Sequence, residues 1–369
     1  AASVLLVDYS CALKLSTPLA VLAAMKEGVG RGVLVKGGRF LESLAAADAV
    51  VFDKTGTLTE SRPRVAEVIP GEGYERDDIL RTAACLEEHF PHPVARAVVR
   101  KAEQEGLHHQ EEHTEVEYVV AHGIASRLHG KRVLFGSRHY IHHDEGVPVD
   151  GMREDIERLA REGRSILYLA VDGKLAGLIA IEDPLRPEAA PVIRKLLGRG
   201  IRVVMLTGDD ERTAAAVAER LGISEYRSQV LPTDKAEVIR SLQAEGHTVA
   251  MLGDGINDSP ALSAADVGVT LSDGADLARE VADVVLTECR LDGLVTAVDL
   301  SKAAMRRIRT DFGLIMTLNT VFLASGLAGF LQPGPSALLH NLTTVGVSLN
   351  AMRPMLKAGA EPQLEEVSA

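Results

Sequence analysis

The chemistry of this chain is concentrated where short apolar runs end. In AVVFDKTGTLTE (49–60) a β-branched run closes on Asp53 and passes into a Thr- and Gly-containing loop. Two later runs end in the same manner, MLTGDD on Thr207, Gly208 and Asp209, and MLGDGINDSPAL on Asp254, Asn257 and Asp258. Between them LPTDK offers Lys235 as a counter-charge for phosphate. At the carboxyl edge of an open α/β sheet ligands sit outside the strands, and exposed turn amides can cradle phosphate. Asp254, Asn257 and Asp258 present hard oxygen donors of the kind Mg²⁺ takes.

One such turn carries little meaning, but three in this order imply phosphoryl transfer. Asp53 is expected to attack the terminal phosphoryl group of a nucleotide. Thr207, Lys235 and a Mg²⁺ ion held by Asp53 and Asp254 would neutralise the developing charge. A hydrolase of this design wants an acid two residues after the nucleophile, to protonate the leaving group and then activate water. Here that residue is Thr55. The acyl phosphate is therefore expected to persist, as suits a machine that uses it as a conformational state.

The elements that must position these residues follow from the pattern. AVVFD, IRVVMLTGD, TVAMLGDG, DVGVTL and ADVVLT alternate with helical stretches, which predicts a parallel α/β sheet. Residues 62–180 break the rhythm with antiparallel-strand patterns, and read as an inserted α+β domain. The divisions expected are 1–30, a membrane helix with its extension; 31–61 and 181–300, two parts of one α/β domain; 62–180, the insert; and 301–369, two membrane helices and a tail.

The 369 residues carry 52 acidic and 40 basic side chains, a net charge of −12, which argues against a nucleic-acid partner. Three well-separated cysteines, Cys11, Cys85 and Cys289, indicate neither a disulfide framework nor a zinc finger. The stretch 311–331 has no charge after Asp311 and is long enough to span a bilayer; 335–352 is a second, more polar candidate. Lys302, Arg306, Arg307 and Arg309 before the first, and Arg353 and Lys357 after the second, place both outer flanks in the cytoplasm, with LQPGP as the outward turn. Residues 1–25 read as a third span broken at Pro18. Cys11 then lies within a membrane, together with lipid, where an ionisable side chain usually has a function.

DKTGTLTE, LTGDD and MLGDGINDSPAL resemble the phosphorylation, hinge and Mg²⁺ motifs of P-type ATPases, whose fold is haloacid-dehalogenase-like (Rossmannoid). The resemblance covers essentially the whole chain. It implies that the insert binds ATP, and that Gly208, Asp209 and Asn257 belong to the cofactor site. EEHFPHPVARAVV is similar to the His-Pro signature of the heavy-metal (type IB) branch, carried by His92 and Pro93, with Glu87 or Glu88 as the acidic partner. Gly123, with Gly136 beyond it, matches the glycines expected near the adenine, although Ala121 stands where the first glycine belongs. His108, His109 and His113 read as a solvated loop. No TGE loop occurs, so an actuator half is expected upstream of residue 1, or is absent.

Type IB pumps have proline beside the intramembrane cysteine, whereas Ser10 and Ala12 flank Cys11. CALKLSTPLAV still matches the segment that follows that cysteine, so Cys11 is expected to be a transport ligand. Asp8 shares its helix face, and the last span offers His340, Asn341, Thr343 and Thr344. A mixed S, N and O set suits a borderline divalent ion, Zn²⁺, Mn²⁺, Co²⁺ or Ni²⁺, rather than Cu(I). The pattern is most similar to a bacterial subgroup of manganese or zinc exporters. Two other readings stay open: a soluble phosphatase of the same fold, and a truncated or regulatory remnant that binds nucleotide and metal without transport.

Overall fold

The computed structural model describes residues 9–60, 62–88, 93–107, 113–119, 123–253 and 258–356. Asp8, His92, Ala121, Asp254 and Asn257 lie outside the described residues, as do His108 and His109. In chain order the strands are β1 (Val33–Val35) and β2 (Ala49–Asp53); then β3 (Arg64–Pro70), β4 (His113–Val119), β5 (Gly123–Leu128), β6 (Lys131–Gly136), β7 (Ser165–Val171) and β8 (Lys174–Glu182); then β9 (Arg202–Leu206), β10 (Glu225–Arg227), β11 (Val249–Leu252), β12 (Val267–Leu271) and β13 (Val284–Leu286).

The first sheet has the order β1-β13-β12-β11-β2-β9-β10. Its pairs are parallel except at one edge, where β1 runs antiparallel to β13, a departure from the all-parallel expectation. Every residue of β2, β11 and β12 is buried, because helices cover both faces of a parallel sheet and leave no wet side for polar residues. The parallel order also aligns the carboxyl ends of β2, β9 and β11 along one edge. That alignment brings the three chemical segments together.

The chain leaves this sheet after β2 and returns at β9. In between, β3 to β8 form a separate antiparallel sheet of order β3-β8-β7-β6-β5-β4. Leu80 and Val98, from the helices Arg76–Glu87 and Pro93–Gln104, pack on one face against Phe135 and Ile179. On the other face Leu159 of the helix Arg153–Arg161 packs with Tyr168 and Leu178. Alternating strand residues thus feed two separate cores.

Three long helices complete the chain. Tyr9–Val29 runs without interruption through Pro18, so the expected break there is absent. Proline removes one helical N–H, and packing against two neighbouring helices offsets that loss: Ala12 shares a buried cluster with Ile315 and Val347. The expected span 311–331 is part of a longer helix, Asp292–Leu327, whose first turns bury Leu294, Val298 and Leu300 in the core of the parallel sheet. Its last turns expose Phe312, Leu314, Val321 and Leu327. Among the described residues it is the one helix long and apolar enough to cross a membrane. The last helix, Pro333–Ala351, begins on the proline of LQPGP, so the turn is shorter than that segment.

The first helix is also tied to the end of the last one. The Glu27 carboxylate accepts the backbone N–H groups of Met355 at 2.7 Å and Leu356 at 3.1 Å, as well as Arg31 Nε at 3.2 Å.

Candidate active site

Asp53 closes β2 and is 5% exposed. Lys235, one turn into the helix Pro232–Ala244, places Nζ 2.7 Å from Asp53 Oδ1 and 2.6 Å from Asp258 Oδ1. Burial by itself would disfavour the ammonium, but these two carboxylates overcome it and raise the Lys235 pKa. The lysine therefore stays protonated between two acids, one at the end of β2 and the other just after β11. The sequence separation is 182 residues for one pair and 23 for the other.

A second ion pair lies beside the first. Lys54 Nζ is 2.5 Å from Asp209 Oδ2, with both side chains largely buried. Asp209 also accepts Ser165 Oγ at 2.6 Å and Thr207 Oγ1 at 2.8 Å. Burial raises the cost of charge on both partners, yet their mutual attraction prevails: the Lys54 pKa rises and that of Asp209 falls. The two aspartates of LTGDD divide the work. Asp210 turns away to cap the helix Glu211–Leu221, accepting Arg212 N and Thr213 N at 3.0 Å each, so Asp209 is left to face the site. Ser165 opens β7 of the other sheet, and through it the insert touches the strand-end loops directly.

The loop after Asp53 is held from outside. Gly56 takes a left-handed φ of +79°, which a Cβ would strain. Arg186 Nε donates to the carbonyls of Thr57 and Thr59 at 3.0 Å each, and its Nη groups reach those of Gly56 at 3.2 Å and Cys289 at 2.9 Å. Thr59 Oγ1 donates to Asp183 Oδ2 at 2.5 Å. Burial pushes the Asp183 pKa up, while Thr59 and Lys54 oppose the shift. Thr57 Oγ1 and Asp183 Oδ1 are buried without a hydrogen-bond partner among the described residues. They leave donor and acceptor capacity in and against the loop that follows Asp53.

Of the residues singled out in the sequence, the structure thus gathers Asp53, Thr207, Asp209, Lys235 and Asp258. Thr55 is exposed on the loop, and Gly208 is exposed beside Asp209. Lys54, Ser165, Asp183 and Arg186 escaped sequence reading. A lysine directly after the strand-ending Asp53, and the charged run EDPLRPE just before the sheet resumes, were the available signals.

In the insert, Gly123 and Gly136 sit opposite each other in the β5–β6 register. A Cβ at 123 would fall 2.4 Å from the Phe135 carbonyl oxygen, so the two strands need glycine there. Glu87 ends its helix largely buried, and desolvation pushes its pKa up to about 7. Glu88 is exposed and Pro93 begins the next helix.

Within the long helices, His340 is 6% exposed and its Nδ1 lies 3.2 Å from Asn319 Oδ1, a partner that the sequence reading did not name. Asn341 is exposed, as is Cys11. No group of three or more His, Cys, Asp or Glu side chains able to hold a metal occurs among the described residues.

A family model described as haloacid dehalogenase-like hydrolase matches residues 47–266. A zinc-exporting P-type ATPase of Mycobacterium marinum is 43% identical over 356 residues, 96% of this chain and 48% of the relative. A manganese-exporting P-type ATPase of Mycobacterium bovis is 42% identical over 356 residues, 96% of this chain and 49% of the relative. The crystal structure of a zinc-transporting PIB-type ATPase in the E2·Pi state superposes with a TM-score of 0.68 at 36% identity, covering 93% of this chain and 55% of that one. The chain spans about half the length of the curated relatives it matches. It belongs to the haloacid dehalogenase-like hydrolase family and, over nearly its whole length, is similar to about half of the chain of metal-exporting P-type ATPases.

Proposed function

We propose that the chain is the catalytic part of an ATP-driven pump that exports a first-row divalent metal ion across a bacterial cell membrane through an aspartyl phosphate. The observation that carries this reading is the Lys235 bridge between Asp53 and Asp258. It sets a protonated amine against the carboxylate that closes β2, so that the negative charge there is balanced at the strand end.

In this reading the insert, 62–180, binds ATP through Glu87 or Glu88, His92, Pro93 and the Gly123–Gly136 strand pair. A carboxylate oxygen of Asp53 attacks the γ-phosphorus, the bond to the β–γ bridging oxygen breaks, and ADP leaves with the electron pair. Thr207 and the hydroxyl of Thr57 donate to phosphoryl oxygens, and Lys235 offsets their charge. The oxygen-rich setting of Asp53 and the partnerless Asp183 Oδ1 fits a hard cation. Asp53 and Asp254 would hold Mg²⁺, which supplies further charge neutralisation at the phosphoryl group when bound. Gly208, Asp209 and Asn257 complete the cofactor site.

The exposed Thr55 provides no acid at the position where a phosphatase of this design needs one, which favours a long-lived acyl phosphate over a soluble phosphatase. For the transported ion, Cys11, Asp8, His340 and Asn341 offer sulfur, oxygen and imidazole donors that suit Zn²⁺, Mn²⁺, Co²⁺ or Ni²⁺. The relatives named for zinc and manganese export support that class. The test is labelling with γ-labelled ATP and Mg²⁺: an acid-stable, hydroxylamine-labile label should form, and Asp53→Asn should abolish it. Undiminished labelling of that variant overturns the mechanism.

A further inference from the structure

A cleft of about 680 Å³ opens at the hinge between the two sheets, lined by Glu60, Arg62, Pro63, Arg64 and Pro184 from the connecting strands and by Pro93, Arg96, Ala97 and Arg100 from the helix Pro93–Gln104. Four of these nine residues are arginines and one is an acid. The chain as a whole carries an excess of twelve negative charges, so carboxylates to pair with them are plentiful. Even so, only Arg64 of the four forms an ion pair among the described residues, with Glu182 at 2.9 Å. Arg62, Arg96 and Arg100 are exposed and bring like charges to one cleft, Arg62 from the connecting segment and the other two from the helix.

Like charges held at one place cost free energy unless an anion joins them. The arginine fork is suited to phosphate, because its parallel N–H groups match two phosphoryl oxygens at once. The volume falls in the range of small-molecule sites. Neither Asp53, Lys235, Thr207 nor Asp258 lines the cleft, so it is separate from the phosphoryl-transfer cluster.

It is nevertheless coupled to that cluster. Glu60 N–H donates to the Pro184 carbonyl at 2.9 Å, and the residues adjoining these two, Thr59 and Asp183, are themselves joined by the 2.5 Å hydrogen bond at the end of the loop that follows Asp53. The backbone N–H of Arg62 also favours charge on Asp183. We propose that this cleft is a binding site for a di- or triphosphate group, held by Arg62, Arg96 and Arg100, which braces the insert's helix against both hinge strands. The phosphate could come from the nucleotide's own chain or from a free oligophosphate acting as an effector; the chemistry is the same.

The experiment is isothermal titration of the chain with tripolyphosphate, ATP and adenosine, comparing wild type with the double variant Arg96→Gln/Arg100→Gln. The expected result is a tenfold or greater loss of tripolyphosphate affinity with adenosine binding unchanged. Competition between tripolyphosphate and ATP in the wild type assigns the site to the nucleotide's phosphates. Simultaneous binding assigns it to a free oligophosphate. Labelling of Asp53 by acetyl phosphate serves as the control for folding and for the phosphorylation mechanism, and should persist in the variant. Unchanged tripolyphosphate affinity in the variant, or an equal loss for adenosine, overturns the proposal.

Discussion

Lys54 and Asp209 are adjacent to the two groups expected to do the chemistry, Asp53 and the Thr207 turn, and they meet in a buried ion pair 2.5 Å long. The pair fastens the end of β2 to the end of β9, and Ser165 Oγ, 2.6 Å from Asp209 Oδ1, extends it to the other sheet. A charged link at this point sets the register of three loops at once.

Breaking one side of it leaves a buried charge alone. Asp209→Asn and Lys54→Met are each expected to lower stability by about 3–5 kcal/mol, and the double variant by less than the sum of the two. Urea denaturation of the four proteins checks this. Strict additivity would mean that the two side chains do not depend on each other.

Arg186 satisfies four backbone carbonyls, three of them in the loop after Asp53. Arg186→Ala is expected to cost about 2–4 kcal/mol, since acceptors lose a charged donor in a largely buried place. Labelling of Asp53 should fall further than global stability explains. Arg186→Lys should recover only part of it, because an ammonium cannot span the same fork. Labelling at wild-type level in Arg186→Ala would show that the loop holds its shape unaided.

Glu87 gives a pH dependence. Its pKa is raised by desolvation from 4.5 to about 7, so the folded chain binds that proton more tightly than the unfolded chain. The resulting stabilisation is complete below about pH 4.5 and is lost as pH rises through 7. Glu87→Gln should remove this slope and raise stability above pH 7 by on the order of 2 kcal/mol. Thermal melts between pH 4 and 8 test it; parallel curves for the two proteins would contradict it.

Gly123→Ala should strain the β5–β6 pair, with its new methyl 2.4 Å from the Phe135 carbonyl oxygen and 2.6 Å from Tyr140 Cδ1. The expected cost is about 1–3 kcal/mol. ATP binding should weaken while labelling of Asp53 by acetyl phosphate is retained. Equal losses from both donors would place the effect outside the nucleotide site.

Under the proposed pump function, Cys11→Ala should remove stimulation of ATP hydrolysis by a divalent metal, and His340→Ala should weaken it. Asn319→Leu is expected to reduce apparent metal affinity by about 10–100-fold without touching the ion, because the amide fixes the orientation of the His340 ring. Full stimulation in Cys11→Ala would assign the ligands to oxygen and imidazole, and so shift the substrate toward a harder ion such as Mn²⁺.

The chemical segments were legible in the sequence because each is local: an apolar run, a carboxylate where it stops, a loop of Thr and Gly. The same holds for the parallel α/β class, since buried strands must read as unbroken β-branched runs. Hydropathy could also mark 311–331, but it is blind to helix continuity. The helix from Asp292 to Leu327 buries its first turns in the core of the parallel sheet and exposes apolar residues along its second half, and only packing decides that one rod does both. Nor could spacing show that Lys235 reaches Asp53 across 182 residues, or that Asn319 meets His340. Lys54, Ser165, Asp183 and Arg186 stayed hidden for one physical reason: their meaning comes from burial beside partners on other strands. A lysine or a serine in a sequence carries no sign of that until the sheet brings the strand ends together.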